Sequence, residues 1–246
     1  MYDPIQDGIE KNIQSVIYRE TKPPKEFSDL VHCYWELKTQ APLVEEFFLH
    51  ALPDACVNIL FNQKDTKIAG VTALRTTYES LNLGKVFSYA GIQFFPGVWQ
   101  GDQNETIDRF VGEPYLGDLP LIKTGNALSR VEFLAKSPVF SELVSQLIER
   151  KFVSLNVITK KILSNLESIH GVADMATITG KSPRQLQRIL KKSTGFSPHD
   201  FLKVIRLQQS FKQHYLDSYT DQSHFIRSFR KITGHTPADY YRKYDV

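Results

Sequence analysis

Short apolar, aromatic and β-branched runs mark the first part of the chain, and a helical period replaces them further on. Between about residues 28 and 100 these runs are separated by turn residues. Cys56-Val57-Asn58-Ile59-Leu60-Phe61, Ile68 to Val71, and Val86 to Phe95 are examples, the last closed by Pro96-Gly97. Runs of this length between turn signals predict strands. Lys22-Pro23-Pro24-Lys25 and Gly112-Glu113-Pro114 break any helix here, so a β-rich domain is expected over residues 1–120. After it Val131, Phe133, Leu134, Val139, Leu143, Val144, Leu147 and Ile148 recur mostly at helical spacing, interrupted at Ser137-Pro138. They predict a helical connector over 121–157 and a small all-α domain over 158–246. The expected fold class is α+β, with a β-rich domain first and helices after it.

Aligned against itself, the last part of the chain repeats at an offset of 39, Ser182 to Phe201 falling on Asp221 to Tyr240. The copies share Arg188/Arg227, Lys192/Lys231, Thr194/Thr233, Gly195/Gly234, Pro198/Pro237 and Asp200/Asp239. Each unit opens on a capping residue, Ser182 or Asp221, and runs as a helix until Gly195 or Gly234 stops it. A second helix starts at Ser197-Pro198 or Thr236-Pro237, where Asp200 or Asp239 is placed to reach back to the cap's backbone N–H. At 100° per residue Leu186, Ile189 and Leu190 share one face, and Arg184, Gln187, Arg188 and Lys191 the opposite one. In the second copy Phe225, Phe229 and Ile232 form the apolar stripe, while Ser223, Ile226, Arg227 and Arg230 point elsewhere. Before the first copy, Val172 to Thr177 reads as a short helix, separated by Ile178-Thr179-Gly180-Lys181. Helix, glycine turn and helix is the arrangement whose second helix fits a major groove.

Composition changes this picture only when the chain is divided. At 246 residues there is room for two domains with their own cores, needing neither disulfides nor a structural metal. With 41% hydrophobic and 23% charged residues the chain is neither disordered nor membrane-spanning, its longest apolar runs being a few residues. The net charge of +3 hides an asymmetry: residues 1–150 hold 14 Lys+Arg against 20 Asp+Glu, and residues 151–246 hold 16 against 7. A −6 part followed by a +9 part points to a polyanion partner for the second. On the proposed recognition face the chemistry suits DNA, since Arg binds guanine O6 and N7 bidentately, Gln pairs with adenine, and Lys neutralises phosphate. The start, Met1 to Asp7, carries no secretory or transit pattern, so a cytoplasmic, nucleoid-associated protein is expected. Cys33 and Cys56 lie in apolar surroundings and are expected to be reduced and buried.

These residues resemble the AraC/XylS family of bacterial transcription regulators, from about Thr159 onward. Met175 to Arg188 looks like that family's first helix-turn-helix, with Thr179 where leucine is usual. Gly195-Phe196-Ser197-Pro198 and Arg206-Leu207 are similar to its linker helix, and Asp221 to Phe229 with Gly234-His235-Thr236-Pro237 to its C-terminal signature. The resemblance implies double-stranded DNA as partner, with two helices in successive major-groove segments about one helical turn apart. It implies base reading by Arg184, Gln187 and Arg188, then by Gln222, Ser223, Ile226 and Arg227, and contact with RNA polymerase. Lys181, Lys191, Lys192, Arg230 and Lys231 are the expected phosphate contacts. The segments Tyr34-Trp35, Leu52 to Phe61 and Gly91 to Gly97 resemble a sensor-like domain of cupin-type β fold. Only His32 and His50 precede His170, so no metal and no cofactor is expected. A small-molecule effector pocket would draw on Tyr34, Trp35, His50, Phe94, Phe95 and Trp99, although at strand spacing core packing is the better account of most of them.

One spacing departs from the resemblance. Only 13 residues, Gln208 to Thr220, separate Arg206-Leu207 from Asp221, too few for the end of a linker helix, a turn and a scaffold helix. Either the second unit is shortened, leaving Phe225 and Phe229 poorly covered, or a stretch is missing, which a Cα to Cα gap well beyond about 3.8 Å between Gln208 and Tyr219 would reveal. The expected function is sequence-specific DNA binding in transcription regulation, controlled through the first domain by a small molecule or by self-association. The alternative is a protein-interaction module anchored to DNA by a truncated AraC-type domain. Leu128 to Phe152 could pair with a second copy or pack on its own domain. An enzyme is not expected. There is no phosphate-cradling glycine loop, no Gly-x-Ser-x-Gly, and no cysteine set such as a DNA alkyl-damage repair protein would need.

Overall fold

Strands precede helices, as the change of period predicts. The fold is that of a computed structural model, which describes residues 2–5, 7–101, 113–211 and 222–245. Eight strands come first: β1 (Asp7–Glu10), β2 (Val16–Thr21), β3 (Val31–Thr39), β4 (Phe47–Ala51), β5 (Val57–Asn62), β6 (Ala69–Val71), β7 (Glu79–Gly84) and β8 (Ser88–Phe94). Helices follow: α1 (Leu121–Leu128), α2 (Ser137–Glu149), α3 (Val157–Leu163), α4 (Val172–Thr179), α5 (Pro183–Thr194), α6 (Pro198–Ser210), α7 (Gln222–Thr233) and α8 (Pro237–Lys243). A last short strand, β9 (Tyr244–Asp245), was not anticipated from the sequence.

The strands form two antiparallel sheets, ordered β2-β3-β8-β5-β6 and β7-β4-β1-β9. Side chains alternate across the five-stranded sheet, so one face and then the other is served by successive residues. Cys33, Trp35, Leu37, Leu60 and Tyr89 meet Phe47, Leu49 and Leu83 of the four-stranded sheet. On the reverse face Tyr34, Ile59, Phe61, Ile92 and Phe94 pack against Leu121 and Leu128 of α1 and Phe140, Leu143, Val144 and Leu147 of α2. Both faces being covered, β3 is buried continuously from Val31 to Leu37. The apolar stripe of α2 is thus buried within the chain, against the sheet. Gly91 lies where β8 passes under Trp35: an added Cβ would sit 2.5 Å from the indole and 2.6 Å from the Ile59 carbonyl oxygen. Backbone cannot give way as a flexible side chain would, so Gly91→Ala should cost about 1–3 kcal/mol of stability, read as a lower urea midpoint at unchanged slope.

The helical part closes back onto the sheets. Residues of β9 pair with β1 in the register Ile9↔Asp245 and Glu10↔Tyr244, extending the four-stranded sheet. The Gln208 side chain on α6 accepts from the Ile5 N–H at 2.8 Å and donates to the Pro53 carbonyl at 3.0 Å. The Tyr78 N–H donates to the Ile232 carbonyl at the end of α7 at 2.8 Å. Phe225 and Phe229 are 1% and 0% exposed, in a cluster with Leu52, Leu207, Ile232, Tyr240 and Tyr244. This corrects the expectation that a short linker leaves them poorly covered: the β-rich part supplies Leu52, and β9 supplies Tyr244. The chain trace is regular through Phe211, and the remainder of the proposed break, with the Asp221 cap, lies outside the described residues.

Candidate nucleic-acid interface

The helix that carries the first cationic stripe is built from its ends. Ser182 caps α5: its hydroxyl accepts from the Gln185 N–H at 3.3 Å, while Gln185 Oε1 accepts from the Ser182 N–H at 3.0 Å. Two otherwise orphaned donors are satisfied reciprocally, and Pro183 fits the first turn. Before it, α4 stops at Gly180, whose φ of 65° is the left-handed conformation glycine adopts without penalty. Thr179, where the resemblance would place leucine, is buried, and its hydroxyl donates to the Met175 carbonyl at 2.7 Å. Its polarity is therefore compensated inside α4.

Leu186 and Leu190 bury the inner face of α5 against α4 and α6 residues such as Met175, Phe201 and Ile205. The outer face presents Arg184, Gln187, Arg188, Lys191 and Lys192, which line one shallow strip of exposed surface. Lys191 is partly committed, its ammonium donating to the Gly195 carbonyl at 2.7 Å and capping its own helix. Lys181 sits half-buried at the turn.

The repeat extends to hydrogen-bond detail. Thr194 and Thr233 are both fully buried, donating to the Leu190 and Phe229 carbonyls at 2.7 and 2.9 Å and accepting from the Phe196 and His235 N–H groups. Gly195 and Gly234 both take left-handed φ, 71° and 78°. The caps that follow match as well, with one correction to the expected pattern. Asp200 and Asp239 accept from the Ser197 and Thr236 hydroxyls, each at 2.6 Å, rather than from the cap's backbone N–H. An aspartate is one methylene shorter than glutamate, so the cap hydroxyl lies within its reach. In the second unit Gln222, Ser223, Arg227, Arg230 and Lys231 are exposed on α7. Ile226 is half-buried against the Phe225–Phe229 cluster, and Arg227 Nε donates along the helix to the Ser223 carbonyl at 3.3 Å.

The aromatic residues grouped above as an effector pocket do not come together. Tyr34, Phe94 and Trp99 belong to the core beneath α1 and α2, and Phe95 packs at its margin. His50 stacks on Tyr78 and Tyr244 at 4.6 and 4.9 Å, where β4 meets the C-terminal helices. Trp35 alone of that set lines the cavity of about 90 Å³ between the two sheets, with Leu49, Leu60, Tyr89, Asp54 and Arg75. Sequence reasoning missed Asp54 and Arg75. The available signal was Leu52-Pro53-Asp54 breaking two apolar strands with a charged residue. The Leu52 to Cys56 segment faces two ways, since Asp54 lines the cavity while Pro53 bonds Gln208 of α6 and Leu52 touches the α7 cluster. Cys33 and Cys56 are buried thiols that form no disulfide, and burial pushes both well above the usual thiol range. They are poor nucleophiles for that reason. Among the described residues no helix is long and apolar enough to cross a membrane.

Comparison with known proteins gives the following likenesses. Residues 19–110 match a family described as a domain of unknown function (DUF6597). No curated protein matches the chain. Among solved structures, one crystal form of ToxT from Vibrio cholerae aligns over 92% of this chain and 98% of its own at 10% identity and a TM-score of 0.44. Wild-type ToxT from Vibrio cholerae with an unsaturated fatty acid bound aligns over 94% and 96% at 12% identity and a TM-score of 0.43.

Proposed function

We propose that the chain is a sequence-specific DNA-binding regulator of transcription of AraC/XylS type, with α5 and α7 as its recognition helices. The observation that carries this reading is the duplicated unit, matched in stop glycine, buried threonine and cap, and presenting Arg184, Gln187 and Arg188 on one helix and Gln222, Ser223 and Arg227 on the other. A solvated polar stripe explains one such helix; it does not explain the same construction twice in a part of the chain carrying +9. Lys181, Lys191, Lys192, Arg230 and Lys231 supply phosphate contacts and hence salt-dependent affinity. Ile226 offers an apolar contact of the kind a thymine methyl accepts. The cavity between the sheets takes an effector, and the Leu52 to Cys56 segment passes its occupancy to α6 and α7.

Selection of bound fragments from random duplex DNA tests the reading, followed by salt titration on the enriched sequence. Arg188→Ala should weaken that sequence by about 1–3 kcal/mol, a loss of about 5- to 150-fold, and weaken random duplex far less. An equal loss on both removes Arg188 from base reading, and a selection that enriches no motif overturns the regulator.

A further inference from the structure

The cavity between the two sheets has an acidic group that forms no ion pair among the described residues. Its walls are largely apolar and aromatic, Trp35, Leu49, Leu60 and Tyr89 among them, and Asp54 and Arg75 are the charged residues that line it. The Asp54 carboxylate accepts from the Cys56 N–H at 2.9 Å and from Gln93 Nε2 at 2.7 Å. Both donors are neutral. Arg75 is engaged in an ion pair with Glu79, and among the described residues no ion pair involves Asp54. Asp54 is half-buried, and a carboxylate on an apolar wall with neutral hydrogen-bond partners keeps part of its desolvation cost. Burial accordingly pushes the Asp54 carboxyl up to about 7, against a smaller opposing pull from its hydrogen bonds and from Arg75.

We propose that this cavity binds a small organic ammonium ion, a primary amine whose –NH3+ pairs with Asp54 while its short alkyl body lies against Trp35 and Tyr89. The proposal rests on the effector role given above to the space between the sheets. An ammonium supplies the counter-charge that Asp54 lacks, and the aromatic faces cover the alkyl body. An anion would instead confront Asp54 and find Arg75 already paired with Glu79. Size narrows the class. An apolar cavity of about 150 Å³ holds benzene, so a space of about 90 Å³ suits roughly four non-hydrogen atoms.

The probe is n-propylammonium chloride, titrated calorimetrically into the full chain without DNA, with n-propanol and propionate as matched controls. Propylammonium alone should bind. Pairing requires Asp54 to be ionised, so about half a proton should be released per ligand near pH 7, read from buffers of different ionisation enthalpy. The neighbouring Cys33, Cys56 and Tyr2 do not supply that proton, because burial keeps them neutral. Asp54→Asn should weaken propylammonium at least about tenfold. If that variant does not fold, Arg75→Gln decides: ammonium binding is retained or strengthened, whereas an anion site loses its ligand. Absence of propylammonium binding, equal or better binding of propionate, proton uptake, or full affinity in Asp54→Asn would overturn the proposal. DNA selection stands apart from these readouts. A chain that binds propylammonium and enriches no DNA motif refutes the regulator and leaves the amine site in place.

Discussion

Phe229→Ala should lower the unfolding free energy by about 3–5 kcal/mol, a large share of what a domain of this kind possesses. The ring is fully buried, with neighbouring centroids at 5.5 Å for Phe225 and 5.6 Å for both Phe211 and Tyr240. Truncation removes the contact that joins α6, α7 and α8, and a rigid aromatic cluster collapses poorly into the space left behind. Urea unfolding measures the loss, with Arg230→Ala as a control that should change stability by less than about 0.5 kcal/mol, since Arg230 is exposed. The variant should also lose the DNA contacts of α7 before those of α5, which has a separate core around Leu186 and Leu190. A loss below about 1 kcal/mol would mean that the second unit has no core of its own to lose.

Acidification from pH 6.5 to 4 should destabilise the chain by about 3 kcal/mol more than it destabilises His50→Gln. His50 is 4% exposed, and its Nε2 is buried without a hydrogen-bond partner among the described residues. Burial lowers its pKa from 6.5 to about 4, with repulsion from His235 and Lys243 acting in the same direction and a hydrogen bond to the Thr233 backbone acting against them. The other groups facing it are the rings of Tyr78, Tyr240 and Tyr244, and His235 is itself lowered, chiefly by burial. The folded pKa lies below the unfolded one, so the unfolded chain binds the proton more readily. The contribution is therefore complete above pH 6.5 and is lost as pH falls towards 4. Asp54, whose pKa is raised, works in the opposite sense between 3.8 and about 7 and is present in both proteins, so the difference between wild type and variant isolates His50. Parallel stability curves for the two would contradict the burial of a neutral imidazole at this contact.

Much of this fold was legible because strands and helices leave different periods. The run Cys56 to Phe61 became β5, and Ile68 to Val71 and Val86 to Phe95 contain β6 and β8. The offset of 39 carried over to matching side-chain hydrogen bonds because both copies meet the same local demands: a buried threonine, a stop glycine and a hydroxyl cap. What failed was grouping aromatics by type. Tyr34 and Trp35 are adjacent in sequence, and for that very reason point to opposite faces of β3, one under α2 and one into the cavity. Alternation would have separated them. Long-range arrangements left no local signal. The ammonium of Lys136, buried at 4% exposure, finds acceptors on Gln63, Leu128 and Val131, and no pattern around Lys136 announces that. The coverage of Phe225 and Phe229 by Leu52 and Tyr244 was invisible for the same reason.

The pairing of β1 with β9 sets the order in which the molecule can assemble. Joining position 9 to position 245 closes nearly the whole chain into one loop, and the entropy of that closure must be met before its hydrogen bonds contribute anything. Contacts of such high contact order form late. A newly made chain can pair its other strands and complete the core around α5 while β9 is still searching for β1. During that interval the edge of β1 stands open as a template for another strand, and the last few residues to dock are the ones that shield it.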